Sequence, residues 1–198
     1  MLNPTQKIIL ASTSPFRHQL LSATGVDFQW QAPAVEENNI TTEKPIKTAE
    51  LRSLAKAQSV HHNNPRAIVI GCDQVLEFQG QMFNKVPTAE DARKVLHSLS
   101  GNTHYLHSSI SVLGAQKTIT ETQTSKMTMR KLSTEAINNY INTGEWQGCA
   151  GCYQWENKGS HLFTESTGDT SAIIGLPILQ LLKTLRLFGV DPLEKAGF

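Results

Sequence analysis

The feature that most constrains the fold is a short apolar segment, beginning at Ile8, that runs directly into the start of a helix. Ser14 is placed as an N-cap, and Pro15 suits the first helical position because its missing N–H would have no partner there. The free N–H groups of this helix start, the hydroxyls of Ser12 and Ser14 and the guanidinium of Arg17 together suit a phosphate group. An ordinary capped strand–helix junction with a surface arginine explains the stretch equally well, so the rest of the chain has to decide.

Composition narrows the class of protein. The 198 residues are 39% hydrophobic and 18% charged, which is enough for one filled core or for two small lobes that share a cleft. A formal net charge of +1 gives no reason to expect nucleic acid or an anionic membrane as a partner. No apolar run approaches the roughly 20 residues that a bilayer span needs. Three cysteines without a secretory signal indicate reduced thiols, so a cytoplasmic location is expected.

Helix and strand patterns interleave along the chain, which predicts an α/β fold with a mixed sheet. The first helix is expected to stop near Gly25, and Leu51, Leu54 and Ala55 stand at core spacing in the second. Further helices are predicted over 45–60, 88–99, 133–142 and from 178 onward. Strands are predicted over 28–31, 67–70, 103–113 and 118–130, with short ones around Tyr153 and at 162–163.

Charged residues at the predicted ends of elements are the candidates for chemistry: Arg17, Glu37, Lys56, Asp73 and Lys85. The strand over 67–70 is expected to end at Gly71–Gln74, which puts Asp73 at a carboxyl end, where open α/β sheets bind ligands. Asp73 could hold Mg²⁺ or orient a water, with Glu37 as a second oxygen ligand. Taken together, these charges suit a polyphosphate with a metal. Taken singly, Asp73 is explained as an acid in a turn, Glu37 as a solvated acid in a loop, and the arginine and two lysines as surface residues.

Two apparent metal motifs are discounted. Cys149 and Cys152 form a C-x-x-C pair, but no second pair completes a zinc tetrahedron, and the pair does not follow a strand at a helix start as a redox motif would. His104 and His107 are three apart on a predicted strand, so they point to opposite faces and cannot bind one ion together.

With these residues in hand, the chain resembles the Maf family of nucleotide pyrophosphatases over nearly its whole length. The resemblance rests on seven motifs in the family's order: ASTSPFRHQLL at 11–21, APAVEE at 32–37, LAKA at 54–57, IGCDQV at 70–75, LSGNTH at 99–104, CAGCYQWE at 149–156 and IIGLPI at 173–178. It implies hydrolysis of a nucleoside triphosphate to the monophosphate and pyrophosphate, with Mg²⁺ or Mn²⁺.

The resemblance also implies roles for single residues. Asp73 matches the water-activating acid and Glu37 its acidic partner. Arg17, Lys56 and Lys85 match phosphate ligands, while Ser12 and Ser14 match the signature hydroxyls. Two departures are visible: Glu36 stands where the family usually has Asp, and Asn84-Lys85-Val86-Pro87 replaces Gly-Lys-Pro, which makes the placement of Lys85 the least certain.

Three positions separate branches of this family. A dTTP/UTP-type branch usually has Arg, Thr and Gln where this chain has Phe16, Gln74 and Glu156, whereas a 7-methyl-GTP branch is similar to this chain. A 7-methylguanine base is cationic, so the Phe16 ring can stack on it, and the Glu156 carboxylate can accept from the guanine N1–H and amino groups. A core role for Phe16 and a solvated turn for Glu156 are the ordinary alternatives.

We therefore expect a single domain over residues 1–198, with an elongated mixed sheet, flanking helices and two lobes around a central cleft. The favoured substrate is 7-methyl-GTP or a related modified nucleotide, and a dTTP/UTP-type or broad-range enzyme is the runner-up. A non-enzymatic nucleotide-binding regulator of septum formation is the alternative from another class, and a retained acid at Asp73 argues against it. The resemblance also implies a homodimer, while nucleic acid and membrane are not expected partners.

Overall fold

The computed structural model of the chain describes residues 7–194. Its strands are β1 (Ile8–Ala11), β2 (Gln29–Trp30), β3 (Ile68–Phe78), β4 (Gln81–Phe83), β5 (Thr103–Leu113), β6 (Thr118–Met129) and β7 (Phe163–Thr167). Its helices are α1 (Pro15–Ser22), α2 (Pro45–His61), α3 (Ala89–Leu99), α4 (Thr134–Ile141), α5 (Thr170–Ile174) and α6 (Ile178–Leu187), with 3₁₀ turns at Glu37–Asn39, Lys158–Leu162 and Pro192–Glu194. Within residues 7–194, every helix is too short or too polar to span a lipid bilayer.

Seven strands form one mixed sheet in the order β2-β1-β3-β5-β6-β7, with β4 also paired to β3. β1 is parallel to β2 and β3, and the other pairings are antiparallel. β5 and β6 pair without interruption from Thr103 opposite Thr128 to Leu113 opposite Thr118. The predicted α/β fold with a mixed sheet is thus confirmed.

The edge of β3 that faces β1 is interrupted. β1 pairs with β3 as far as Gly71, and β4 pairs with the same edge from Leu76 onward. Between them, residues 72–75 have no neighbouring strand on this edge in the described chain. The prediction that this strand ends near Asp73 is wrong, since β3 continues to Phe78. Asp73 instead lies just beyond the carboxyl end of β1, so the rule that places ligands at strand ends applies to β1.

Apolar clusters lie on both sides of this interruption, in agreement with the expected two lobes. Around the first half of β3, one sheet face packs against α1 and α6, where Leu181 and Leu185 are buried, and the other face packs against α2. Around the second half, α3 and α4 cover the sheet with a larger cluster that includes Leu96 and Ile137. The gap in β3 is therefore a cleft between two separately packed regions.

Helix α2 buries a face that the apolar pattern did not indicate. Leu51, Leu54 and Ala55 are only half-buried, whereas the buried residues are Thr48, Ala49, Arg52, Ser53, Lys56, Ala57 and Val60. The predicted core stripe is thus wrong by about one residue of rotation. The helix tolerates this polar face because the buried Ser53 hydroxyl is within hydrogen-bond distance of the hydroxyls of Ser109 and Ser111 on β5, at 3.1 and 2.9 Å.

Two further local predictions need correction. The segment around Tyr153 is irregular rather than a strand, and the five-residue helix α5 was not anticipated. The first helix ends at Ser22, slightly early, and the chain then turns at Gly25 with a φ of 73° that favours glycine.

Candidate active site

A cavity of about 350 Å³ opens at the gap in β3. Nine of the ten residues singled out from the sequence line it: Ser14, Phe16, Arg17, Glu37, Lys56, Asp73, Gln74, Lys85 and Glu156. Ser12 is the exception, because it is buried behind the wall. The fold therefore gathers residues from six separate stretches of sequence into one cleft.

The β1–α1 junction forms one wall of the cavity. The Ser14 N–H donates to the Ser12 hydroxyl at 3.1 Å, while the Ser14 side chain makes no capping hydrogen bond. Ser14 is the N-cap of the helix, as predicted, but its side chain does not make the capping hydrogen bond. Arg17 donates from Nε to the Gly175 carbonyl at 3.0 Å and from Nη1 to the Cys72 carbonyl at 3.1 Å. These bonds fix the guanidinium plane, which is the geometry suited to phosphate.

Lys56 joins two carboxylates at the centre of the cavity. Its ammonium lies 2.6 Å from Asp73 Oδ1 and 3.0 Å from Glu37 Oε1. Asp73 and Lys56 are buried, whereas Glu37 is exposed on one side. Partial burial alone would raise the pKa of Glu37, but Lys56, helped by Lys85 and Arg17, lowers that pKa below its usual value. The carboxylates of Glu37 and Asp73 therefore share the Lys56 ammonium as their counter-ion.

The second oxygen of Asp73 points to a missing ligand. Asp73 Oδ2 is buried and has no hydrogen-bond partner in the described chain, which is costly for a carboxylate oxygen. Among residues 7–194, no group of three or more His, Cys, Asp or Glu side chains could hold a metal. A divalent cation that uses one or two carboxylates and takes its remaining ligands from phosphate and water fits this donor set. Asp73 and Glu37 thus fit the cation that the sequence implies.

The residues expected to choose the base also line this cavity. Phe16 is half-buried at the start of α1, and Glu156 lies in the loop before the second 3₁₀ turn. Partial desolvation raises the pKa of Glu156, a backbone N–H opposes this, and the neighbouring Glu145 raises it further. Gln74 donates from Nε2 to Ser108 Oγ and to the carbonyls of Ala172 and Ile173, each at 2.9 Å. Gln74 therefore also ties α5 to the sheet.

Several lining residues were missed at the sequence level. They are Asn38, Arg52, Tyr153 and Trp155. A buried arginine four residues before Lys56 could have been noticed as sharing its helix face. The aromatic rings lie in an irregular loop, where no periodic signal marks them.

The cysteine and histidine pairs discounted from the sequence lie in distinct surroundings. Cys149 and Cys152 are free thiols, and burial raises their pKa values to about 11 and about 12, which leaves them protonated. His104 hydrogen-bonds to Tyr153 at 2.7 Å, whereas His107 contacts Glu77 at 2.8 Å and Thr124 at 2.9 Å. The imidazole rings of His104 and His107 thus contact different residues.

Comparison with known proteins agrees with this geometry. The profile of a family described as Maf-like protein matches residues 7–188. A 7-methyl-GTP pyrophosphatase of Bartonella henselae is 38% identical over 192 residues, which cover 93% of this chain and 97% of that protein. A dTTP/UTP pyrophosphatase of Dictyoglomus thermophilum is 36% identical over 187 residues, with 93% and 97% coverage.

A solved structure shares the fold. The HAM1 protein of Coxiella burnetii superposes with a TM-score of 0.53 at 14% sequence identity, covering 92% of this chain and 100% of that one. At this low identity the likeness concerns the arrangement of helices and strands alone.

Proposed function

This chain belongs to the Maf-like family of nucleotide pyrophosphatases, and from that premise we propose that it hydrolyses a nucleoside triphosphate, with 7-methyl-GTP preferred, to the monophosphate and pyrophosphate. The observation that carries the proposal is the unpaired, buried Oδ2 of Asp73 in a cavity that also holds Arg17, Lys56 and Lys85. The carboxylate oxygen is an acceptor for the proton of an attacking water, and the three cations suit the phosphates.

The chemical step follows from these side chains. Asp73 Oδ2 accepts a proton from a water, whose oxygen forms a bond to the α-phosphorus. The anhydride P–O bond breaks, and its electron pair leaves with pyrophosphate. Lys56 holds Oδ1 of the same carboxylate at 2.6 Å, which orients Oδ2. Arg17, with its plane fixed by two carbonyls, is positioned to stabilise the charge that develops on the phosphate oxygens.

Asp73 and Glu37 are the residues that would hold Mg²⁺ or Mn²⁺. A carboxylate oxygen has two lone-pair sites, so Asp73 Oδ2 could contact the cation through one and the attacking water through the other. When bound there, the cation would neutralise charge on the phosphates. Lys85 is exposed and lines the same cavity, and its positive charge, which helps to lower the pKa of Glu37, suits a phosphate.

The choice of base is assigned to Phe16, Gln74 and Glu156, which line the same cavity. An aromatic ring and a carboxylate both favour a cationic 7-methylguanine over a neutral pyrimidine. Trp155, next to Glu156, supplies a second ring. Relatives named for 7-methyl-GTP and for dTTP/UTP match this chain at 38% and 36% identity, so pyrimidine nucleotides are the competing substrates.

A substrate panel tests the proposal. Pyrophosphate release is measured from 7-methyl-GTP, GTP, dTTP and UTP, each with Mg²⁺ and with Mn²⁺. We expect 7-methyl-GTP to give the highest kcat/KM. Preference for dTTP or UTP would overturn the assigned substrate, and no release from any nucleotide with either metal would overturn the activity.

Replacement of Asp73 tests its role directly. Asp73→Asn keeps an oxygen for Lys56 but removes the proton acceptor, so we expect turnover to fall by about a hundredfold or more. Nucleotide affinity, measured by calorimetry, should remain within about threefold, because charge-assisted contacts of the other cations persist. Unchanged turnover in a folded Asp73→Asn protein would exclude Asp73 as the base.

A further inference from the structure

Arg52 is a buried arginine in the cavity to which the sequence motifs give no role. Its residue is 8% exposed, and it contributes to the wall beside Glu37 and Asn38. Nε donates to the Ile40 carbonyl at 2.9 Å, and Nη2 lies 3.4 Å from the Thr41 hydroxyl. Its Nη1 group has no hydrogen-bond partner among residues 7–194. The guanidinium is therefore held at one side and has donors left on the other.

The charge of Arg52 is unbalanced. Lys56, one turn further along α2, is paired with Asp73 and Glu37. In the described chain, by contrast, no carboxylate lies within the 4.0 Å ion-pair distance of the Arg52 guanidinium. Burying a cation against neutral acceptors alone is costly, and an anion that enters the cavity removes that cost.

We propose that Arg52 is a substrate-binding residue that contacts the phosphates released as pyrophosphate. The base-side residues Trp155 and Glu156 lie in the loop before the second 3₁₀ turn, whereas Arg52 lies on α2 with Lys56 and borders the segment that carries Glu37. A triphosphate whose base contacts the loop extends its phosphates toward α2. This inference rests on the proposed pyrophosphatase activity and adds a fourth cation to the three that the resemblance implied.

The test is binding of inorganic pyrophosphate, measured by calorimetry with Mg²⁺ present. Loss of one charge-assisted contact predicts that Arg52→Gln weakens pyrophosphate binding by about tenfold to a hundredfold. The affinity for the nucleoside monophosphate of the best substrate should change by less than about twofold, because that product lacks the released phosphates. Lys47→Gln is the matched control: it removes one positive charge from an exposed site on the same helix and should leave both affinities unchanged.

The outcomes separate this inference from the activity itself. If the wild-type protein hydrolyses nucleotides but Arg52→Gln binds pyrophosphate as tightly as wild type, Arg52 is not a ligand and the proposed function stands. An equal loss of affinity for pyrophosphate and for the nucleoside monophosphate would show that Arg52 only positions the segment containing Glu37. If Arg52→Gln fails to fold, Arg52→Lys is the second variant, because it keeps the positive charge but lacks the planar guanidinium. We expect it to weaken pyrophosphate binding by less than Arg52→Gln would, and to leave the affinity for the monophosphate unchanged. A wild-type protein that neither binds pyrophosphate nor hydrolyses any nucleotide fails the proposed function instead.

Discussion

Glu37 and Glu156 line the same cavity in opposite electrostatic surroundings. Lys56 contacts Glu37 and, despite partial burial, brings about a net lowering of its pKa, whereas desolvation raises the pKa of Glu156. On acidification, Glu156 therefore loses its charge first, while Glu37 stays ionised. Residues whose environments move their pKa values apart in this way can titrate separately in one site.

This difference predicts a pH dependence of substrate recognition. Because the pKa of Glu156 is raised above its ordinary value, KM for 7-methyl-GTP should increase as the pH falls through that raised pKa, when the carboxylate acceptor is protonated. Glu156→Gln should have a higher KM at neutral pH and should lack this acid limb. Exposed Glu165→Gln, on β7, is the matched control and should follow wild type. Persistence of the KM limb in Glu156→Gln would assign it to another group.

At the scale of the element, α2 is able to carry Lys56 to Asp73 because β3 has no side chain at Gly71. A Cβ there would overlap the Ser53 carbonyl and stand 2.8 Å from the Ala57 Cβ. The helix and strand thus approach by backbone contact, and Lys56 lies between the two α2 residues that make it. Close packing at this point sets the distance between ammonium and carboxylate.

Gly71→Ala should therefore lower both stability and activity. Overpacking costs about 1 to 3 kcal/mol, and a shift of α2 by about 1 Å at the site lowers kcat by about a hundredfold. Thermal unfolding and kcat are the measurements. Gly80→Ala provides the comparison: at the β3–β4 hairpin, with a φ of 76° and open space around it, it should cost about 1 to 2 kcal/mol from backbone strain without lowering kcat. Equal kcat in the two variants would contradict the account of Gly71.

The same helix shows why sequence reasoning was partly wrong. A search for apolar periodicity selects Leu51, Leu54 and Ala55, because it assumes that a buried face is apolar. The buried face of α2 is instead defined by partners distant in sequence, such as Ser109 for Ser53 and Asp73 for Lys56. Such partners become visible only when the strands are assembled.

At the scale of the whole molecule, local patterns were sufficient for the mixed sheet, the long β5–β6 pair and the capped helix α3, whose Thr88 accepts from the Asp91 N–H. They were insufficient for the gap in β3. An apolar run followed by Asp73 and Gln74 is typical of a strand end, whereas the strand continues here because β5 pairs with it on the other edge. The motif resemblance placed the candidate residues in one site, while the spatial relation of Arg52 to them required the fold.

The region around the second half of β3, which α3 and α4 cover, adds a pH-dependent contribution to the stability of the molecule. His104 is fully buried among Tyr153 and Phe163, with ring centroids 5.7 and 5.9 Å away, and its Nδ1 has no partner in the described chain. Burial lowers its pKa from 6.5 to about 4. Between these values the unfolded chain binds the extra proton, so stability falls as the pH drops from about 6.5 toward 4, by roughly 3 kcal/mol in total.

His104→Gln tests this contribution because glutamine keeps a partner for the Tyr153 hydroxyl but does not titrate. Its free energy of unfolding, measured by urea denaturation from pH 7.5 to 4.5, should depend less steeply on pH than that of wild type, whatever its absolute value. His97→Gln, at an exposed position on α3, is the matched control and should keep the wild-type slope. A His104→Gln slope as steep as wild type would mean that His104 gains its proton without unfolding. Because Tyr153 lines the cavity and hydrogen-bonds to His104, such protonation would introduce a charge next to a residue of the cavity wall.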